Sequence, residues 1–269
     1  MRRSYIAAVI TVATVTCAIL TMLPLTAVPA LAQQGQLPQL KPPPPAPVKP
    51  YQPVAVTPPV PFKDPSFVDL RKQLAAAAAH KDRAALAKLV VAQKFFWVED
   101  KDLADARKSG IDNLAKAIDL DGKDGAGWDT IAGYANEPTA MELPQQKGVF
   151  CAPADPTIDP NAFEALGKAT QTEPSEWGYP TKDGVAVHAA AQASAPVTEK
   201  LGLNLVRVLP DSGQQADPNA PLFLHVATPS GKSGFVDAQS LAPLGGDQMC
   251  YTKDAGGWKI AGYFGGAAQ

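Results

Sequence analysis

Residues 222–236 read LFLHVATPSGKSGFV, and this stretch decides how the second half of the chain folds. Leu222 to Ala227 is an apolar run of strand length, Ser230–Gly231 and Ser233–Gly234 bracket Lys232 as a turn, and Phe235 and Val236 resume the apolar pattern. Upstream, Val185, Val187 and Ala189 alternate after an Asp183–Gly184 turn, and Leu203 with Leu205 to Leu209 supplies another strand. Downstream, Met249 to Thr252 and Trp258 to Phe264 flank Asp254, Ala255, Gly256 and Gly257, which reads as a hairpin. These spacings predict a small antiparallel barrel with a C-terminal hairpin over residues 181–269.

Before Trp177 the period is helical. Ser66 and Asp69 have capping-box spacing after Pro65, and Phe67, Leu70 and Leu74 recur as one face of a helix running to about His80. Asp82 caps a second helix with Leu86, Leu89 and Val90 as its stripe, and Phe95, Phe96 and Trp97 follow as bulky core. Residues 102–120 read as a third helix with a break at Gly110, and Trp128 to Ala135 as a short fourth. Pro138 to Pro160 lacks periodicity and reads as a connecting loop. The expected class is α+β: a mainly helical domain over 64–180, then the barrel.

Ahead of these lie two segments of another kind. Between Pro38 and Pro61 there are eleven prolines, with Lys41 and Lys49 as the only charges. Each proline lacks an amide donor and pushes its predecessor toward extended angles, so residues 33–63 read as a disordered, Pro-rich linker. Residues 1–32 have Arg2 and Arg3, an uncharged apolar stretch from Tyr5 to Leu25, and Ala30 and Ala32 at the positions a signal peptidase reads. This is the pattern of a secretory signal peptide; an uncleaved anchor helix is the competing reading, and contact with a membrane is expected only through that segment.

Export determines how the cysteines are read. Cleavage after Ala32 removes Cys17 and leaves Cys151 and Cys250, an even pair that in an oxidising compartment most simply forms one structural disulfide. Two free thiols, or one thiol acting as a nucleophile, is the alternative. Localisation is then periplasmic or secreted. The chain of 269 residues carries 24 Lys and Arg against 26 Asp and Glu. That balance lacks the basic excess used to bind phosphate backbones, so nucleic acid is not an expected partner.

The segment Val185 to Ala189, Ala195-Pro196-Val197 running to Leu201-Gly202, Leu205 to Leu209, Phe223-Leu224-His225-Val226 and the turn Gly231-Lys232-Ser233-Gly234-Phe235-Val236 resemble the bacterial SH3-like family, SH3b. The resemblance covers roughly residues 183–243. Phe223 stands where the family usually has Trp, and the loop from Pro210 to Pro221 is long. What the resemblance implies is a cell-envelope module that binds peptide, peptidoglycan or another envelope protein, often attached to a hydrolase; no family is assigned to residues 64–180.

Little in the chain suggests catalysis. His80, His188 and His225 have no second His or Cys at metal-ligand spacing, and no nucleophile elbow or Cys-centred signature occurs. Asp119, Asp121, Asp124 and Asp129 cluster around glycines, yet the sixth and twelfth positions of a calcium loop hold Asp124 and Thr130 in place of Gly and Glu. The expectation is a non-enzymatic protein without metal or cofactor; a cell-wall hydrolase using the SH3-like part for targeting is the alternative. The candidate ligand-binding residues are Trp177 and Tyr179, on a segment flanked by Pro and broken by Gly, together with Phe223.

Overall fold

A computed structural model describes residues 49–210 and 222–265. The signal peptide expected over 1–32, the first part of the linker and most of the loop after Pro210 lie outside the described residues.

The chain enters through β1 (Val56–Thr57) and then α1 (Pro65–Ala79). Asp64, not Ser66, is the N-cap: it accepts from the Ser66 amide, and Pro65 occupies the first turn, where its missing donor costs nothing. Phe67, Leu70, Leu74, Ala77 and Ala78 form the buried stripe. Asp82 caps α2 (Arg83–Ala87) through the Ala85 amide, and β2 (Phe96–Val98) follows. The third helix is shorter than its apolar spacing predicts. α3 (Gly110–Ala117) starts at the glycine expected to break it, because a Cβ there would stand 1.8 Å from the Val91 carbonyl oxygen and Ser109 is the N-cap. α4 (Ala126–Asn136) begins after Gly125, which is left-handed at φ 81°.

The segment read as a connecting loop holds β3 (Met141–Glu142), β4 (Val149–Ala152) and β5 (Thr157–Ile158), and leads into α5 (Pro160–Thr170), capped by Asp159. Strands then dominate: β6 (Trp177–Pro180), β7 (Val185–His188), β8 (Val197–Leu201), β9 (Val206–Val208), β10 (Phe223–Ala227), β11 (Ser233–Asp237), β12 (Leu241–Pro243), β13 (Gln248–Asp254) and β14 (Gly257–Phe264).

The expected α+β division into a helical domain and a small SH3-like barrel is overturned. Among the described residues the protein is mostly β, with fourteen strands in three sheets and five α-helices of at most fifteen residues, and no sheet closes into a barrel. The seven-stranded sheet is antiparallel in the order β12-β6-β9-β10-β11-β7-β8, and β12 and β8 remain as its two edges. Nor do the first helices make a domain of their own. They cover a five-stranded sheet in the order β2-β14-β13-β4-β3, two of whose strands are the C-terminal hairpin. Phe67, Leu74, Leu114 and Ile131 from the helices share one core with Tyr251 and Ile260 from that hairpin.

The connection between the two large sheets follows from one pairing. β4 lies beside β13, with Ala152 opposite Met249 and Cys151 opposite Cys250. All of the seven-stranded sheet is therefore inserted between two neighbouring strands of the five-stranded one. The disulfide Cys151–Cys250 closes this neck, with the Cα atoms 4.0 Å apart. The described residues all fall within one compact unit.

The second part of the Pro-rich stretch is packed chain. Tyr51 donates its amide to the Pro229 carbonyl (3.2 Å), Leu205 donates to the Val54 carbonyl (2.9 Å) and Val56 donates to the Leu203 carbonyl (2.9 Å), so residues 50–57 run as an extended arm along the seven-stranded sheet. β1 then pairs with β5. Gly231, at φ +80°, permits the arm's close approach, since Pro50 Cγ lies 2.8 Å from where a Cβ would be.

Candidate functional site

The arm, α5 and the seven-stranded sheet enclose one apolar core and border one cleft. Val54, Val56, Leu166, Trp177, Tyr179 and Leu205 form the core. Tyr51 packs edge-on against Trp177, with ring centroids 5.1 Å apart, and its hydroxyl donates to the carbonyls of Ala227 (2.9 Å) and Leu205 (3.2 Å). Burial pushes the Tyr51 hydroxyl's pKa well above the ordinary range, so the phenol stays neutral as this bonding requires.

Beyond Tyr51 opens a cleft of about 1070 Å³. The arm lines one side with Pro50, Gln52 and Pro53, and α5 lines another with Ala162, Ala165 and Ala169. Ala165 and Ala169 are exposed and one helical turn apart, so α5 presents a shallow strip of small side chains. Among the described residues Lys49, Arg207 and His225 are its basic members, and no Asp or Glu lines it. Arg207 is held in place by Glu176, at 2.7 Å, and Glu176 is kept below the ordinary carboxylate range by the Glu173 backbone first and Arg207 second.

A second cleft, of about 360 Å³, lies where β6, β12, the segment after β1 and the loops after α4 and β4 meet. Its walls are proline rings, and its polar groups include Glu137, Asp155, Tyr179 and Gln248. Tyr179 is only 5% exposed. Its hydroxyl pKa is raised by burial first, then by the Asp155 and Glu137 carboxylates.

The three expected ligand-binding residues do not share a surface. Trp177 is 1% exposed and donates its indole N–H to Thr172 Oγ1 (2.8 Å), so it is a packing residue. Tyr179, two residues on along β6, reaches the smaller cleft. Phe223 is half-buried on β10, edge-on to His188 with centroids 5.9 Å apart, and lines neither of the two clefts. Sequence reasoning passed over Tyr51, the single aromatic in a run of prolines, and over Glu137 and Asp155. Both acids directly precede a proline in an aperiodic segment, the one signal that marked them.

The other chemical candidates are accounted for locally. His80 caps the C-terminus of α1, His188 Nδ1 lies 2.9 Å from the Ala195 carbonyl oxygen, and His225 stacks on Phe235 with centroids 4.8 Å apart. In the acidic cluster Asp121 pairs with Arg83, which also holds Asp112, and Asp124 accepts from the Ala126 amide. Among the described residues no three His, Cys, Asp or Glu side chains converge as a metal would need, and no helix is long and apolar enough to cross a membrane. Compared with protein-family models, with curated proteins and with solved structures, the chain matches none.

Proposed function

We propose that this chain is an exported, non-catalytic binding protein of the cell envelope, periplasmic or secreted, that seats part of a peptide, of peptidoglycan or of another envelope protein in the larger cleft. The observation that carries this reading is the cleft itself, open along the arm and α5, apolar over most of its lining and basic at Arg207 and Lys49. Such a lining suits an extended segment that carries a carboxylate. The Cys151–Cys250 bond favours an oxidising compartment, and it also occupies the thiols that nucleophilic catalysis would use. The resemblance of residues 183–243 to bacterial SH3-like modules points the same way.

Ala165→Trp tests the reading. Ala165 is exposed on α5, so a large ring there fills the cleft without touching the core. The exported protein is expected to be retained by purified sacculi or to capture an envelope protein, and the variant to lose that capture while unfolding at the same urea concentration. Capture that is equal in the two proteins would overturn the assignment to this cleft.

A further inference from the structure

We propose that the smaller cleft is a second binding site, one that takes a compact organic cation, an alkylammonium group with a short apolar stem. Two carboxylates and a phenol converge there from three separate parts of the chain. Glu137 follows α4, Asp155 follows β4 and Tyr179 belongs to β6. Neither Lys nor Arg nor His lines the cleft among the described residues. Glu137 is half-buried and Asp155 exposed at the cleft, and no Lys, Arg or His pairs with either carboxylate among the described residues.

The groups are held in position before any ligand arrives. Glu137 Oε1 accepts from the Thr139 amide (2.7 Å) and the Thr139 hydroxyl (2.5 Å), and that hydroxyl accepts from the Ala154 amide (2.9 Å). Glu137 is thereby tied to the loop that carries Asp155. Its other oxygen, Oε2, takes no hydrogen bond among the described residues. Gln248 Nε2 donates to the Pro153 carbonyl (2.8 Å) and to Asp155 Oδ1 (3.3 Å), leaving Oδ2 similarly unused.

Tyr179 is the independent sign of a ligand. The residue is 5% exposed and lines the cleft, and its hydroxyl, open to the cleft and not sealed from water, makes no hydrogen bond among the described residues. A phenol so placed offers its oxygen as an acceptor and its ring as a wall. An ammonium has three donors and no acceptor, which matches two carboxylate oxygens and one phenol oxygen. The proline rings suit the methylene stem. A metal ion fits less well, because a hard cation requires six or more oxygens and no third acid converges here among the described residues. The Tyr179 hydroxyl's pKa is raised by burial first and by the Asp155 and Glu137 carboxylates second, and that second contribution agrees with a negative local field.

The test is an NMR titration of the exported protein with n-butylamine, protonated at pH 7, and with n-butanol as its neutral match. The amine is expected to give saturable shifts at Gly245, Gly246 and Gln248, which line the cleft, and the alcohol none. Glu137→Gln keeps an oxygen for Thr139 and so keeps the fold; it is expected to weaken binding about tenfold, as loss of a charged acceptor does. Asp155→Asn should behave alike, and Tyr179→Phe should weaken binding about threefold. Ala165→Trp leaves this binding unchanged, which separates the site from the larger cleft. Absence of saturation, equal shifts with the alcohol, or full affinity in the folded Glu137→Gln variant would each overturn the proposal.

Discussion

Cys151 and Cys250 stand directly opposite each other on β4 and β13, although 99 positions separate them in sequence. Both are buried, in a small cluster with Val149 and against Phe96 and Phe264. The ring that their bond closes contains β5, α5 and the whole seven-stranded sheet. The bond thus sits at the neck through which the inserted sheet leaves and rejoins the five-stranded one, and both clefts draw part of their lining from inside that ring.

A bridge of this span constrains the unfolded chain strongly. For a loop of about 100 residues the chain-entropy relation gives roughly 4.7 kcal/mol, and native disulfides typically contribute about 2–5 kcal/mol. The Cys151→Ala, Cys250→Ala double variant is expected to lose about 3–4 kcal/mol in urea unfolding while keeping its fold, since β4 and β13 remain paired by backbone hydrogen bonds. A thiol titration of the native protein should find neither Cys151 nor Cys250 reactive. Two reactive thiols, or a variant as stable as the parent, would contradict this.

Asp64 joins the start of α1 to the C-terminal hairpin. Its Oδ1 accepts from the Ser66 amide (2.8 Å) and hydroxyl (2.7 Å), and its Oδ2 from Lys253 Nζ (3.0 Å) and Trp258 Nε1 (3.3 Å). The Ser66 hydroxyl first, and Lys253 next, hold this carboxyl well below the usual aspartate range. A depressed folded value means the stabilisation is complete above the unfolded value, at about pH 4, and is lost as pH falls through the folded one. Asp64→Ala is expected to cost about 1–2 kcal/mol at pH 7, the range for a lost N-cap, and less at pH 3. A penalty that is the same at both pH values, in parallel urea titrations, would count against this account.

Local pattern accounts for what was legible in the sequence. Val185 and Val187 alternate on β7, Leu222 to Ala227 announces β10, and Asp82 marks the start of α2; each signal lies within a few residues. The hairpin at 248–264 was legible as a hairpin, but its neighbour was not. β4 is four residues long without alternation, and β2 is three, too short for any period to show. Pairing of β13 with β4 is non-local, and the pairing of cysteines was its one trace. Residues 50–57 contain Pro50 and Pro53, which suppress regular structure, yet tertiary bonds from Leu203, Leu205 and Pro229 fix them all the same. Tyr179 stood out as the aromatic in a Pro- and Gly-interrupted segment. Glu137 and Asp155 did not, because the sheets, not the sequence around them, bring those two loops together.

Gly127 separates helix propensity from packing. Alanine is the better helix former by about 1 kcal/mol, so the α4 sequence alone predicts that Gly127→Ala stabilises. A Cβ there, however, would stand 2.5 Å from Leu120 Cα and 2.7 Å from the carbonyl oxygens of Ile118 and Asp119, all backbone atoms that cannot turn aside. The variant is therefore expected to lose about 2 kcal/mol through overpacking. Gly133, in the same helix, has nothing within 4 Å of its would-be Cβ, and Gly133→Ala is expected to gain about 0.5–1 kcal/mol. Thermal melts of the two variants should move in opposite directions; movement in the same direction would refute the close approach of α4 to residues 118–120.

Tyr251 offers a gain from removing a single oxygen. It lies on β13 fully buried, edge-on to Phe67 with centroids 5.0 Å apart, in the core between the helices and the five-stranded sheet. Its hydroxyl has no hydrogen-bond partner among the described residues, and burial pushes its pKa far above the ordinary range. A hydroxyl removed from water without a new partner costs about 1–3 kcal/mol, whereas the ring contributes its packing whether or not the oxygen is there. Tyr251→Phe keeps the ring and its contact with Phe67, so the variant is expected to be more stable by about 1 kcal/mol, the low end of that range because the small void left by the oxygen offsets part of the gain. Urea unfolding at pH 7 measures it. A loss of stability would mean that the hydroxyl is bonded inside the core, and the account of how α1 packs on β13 would have to include that partner.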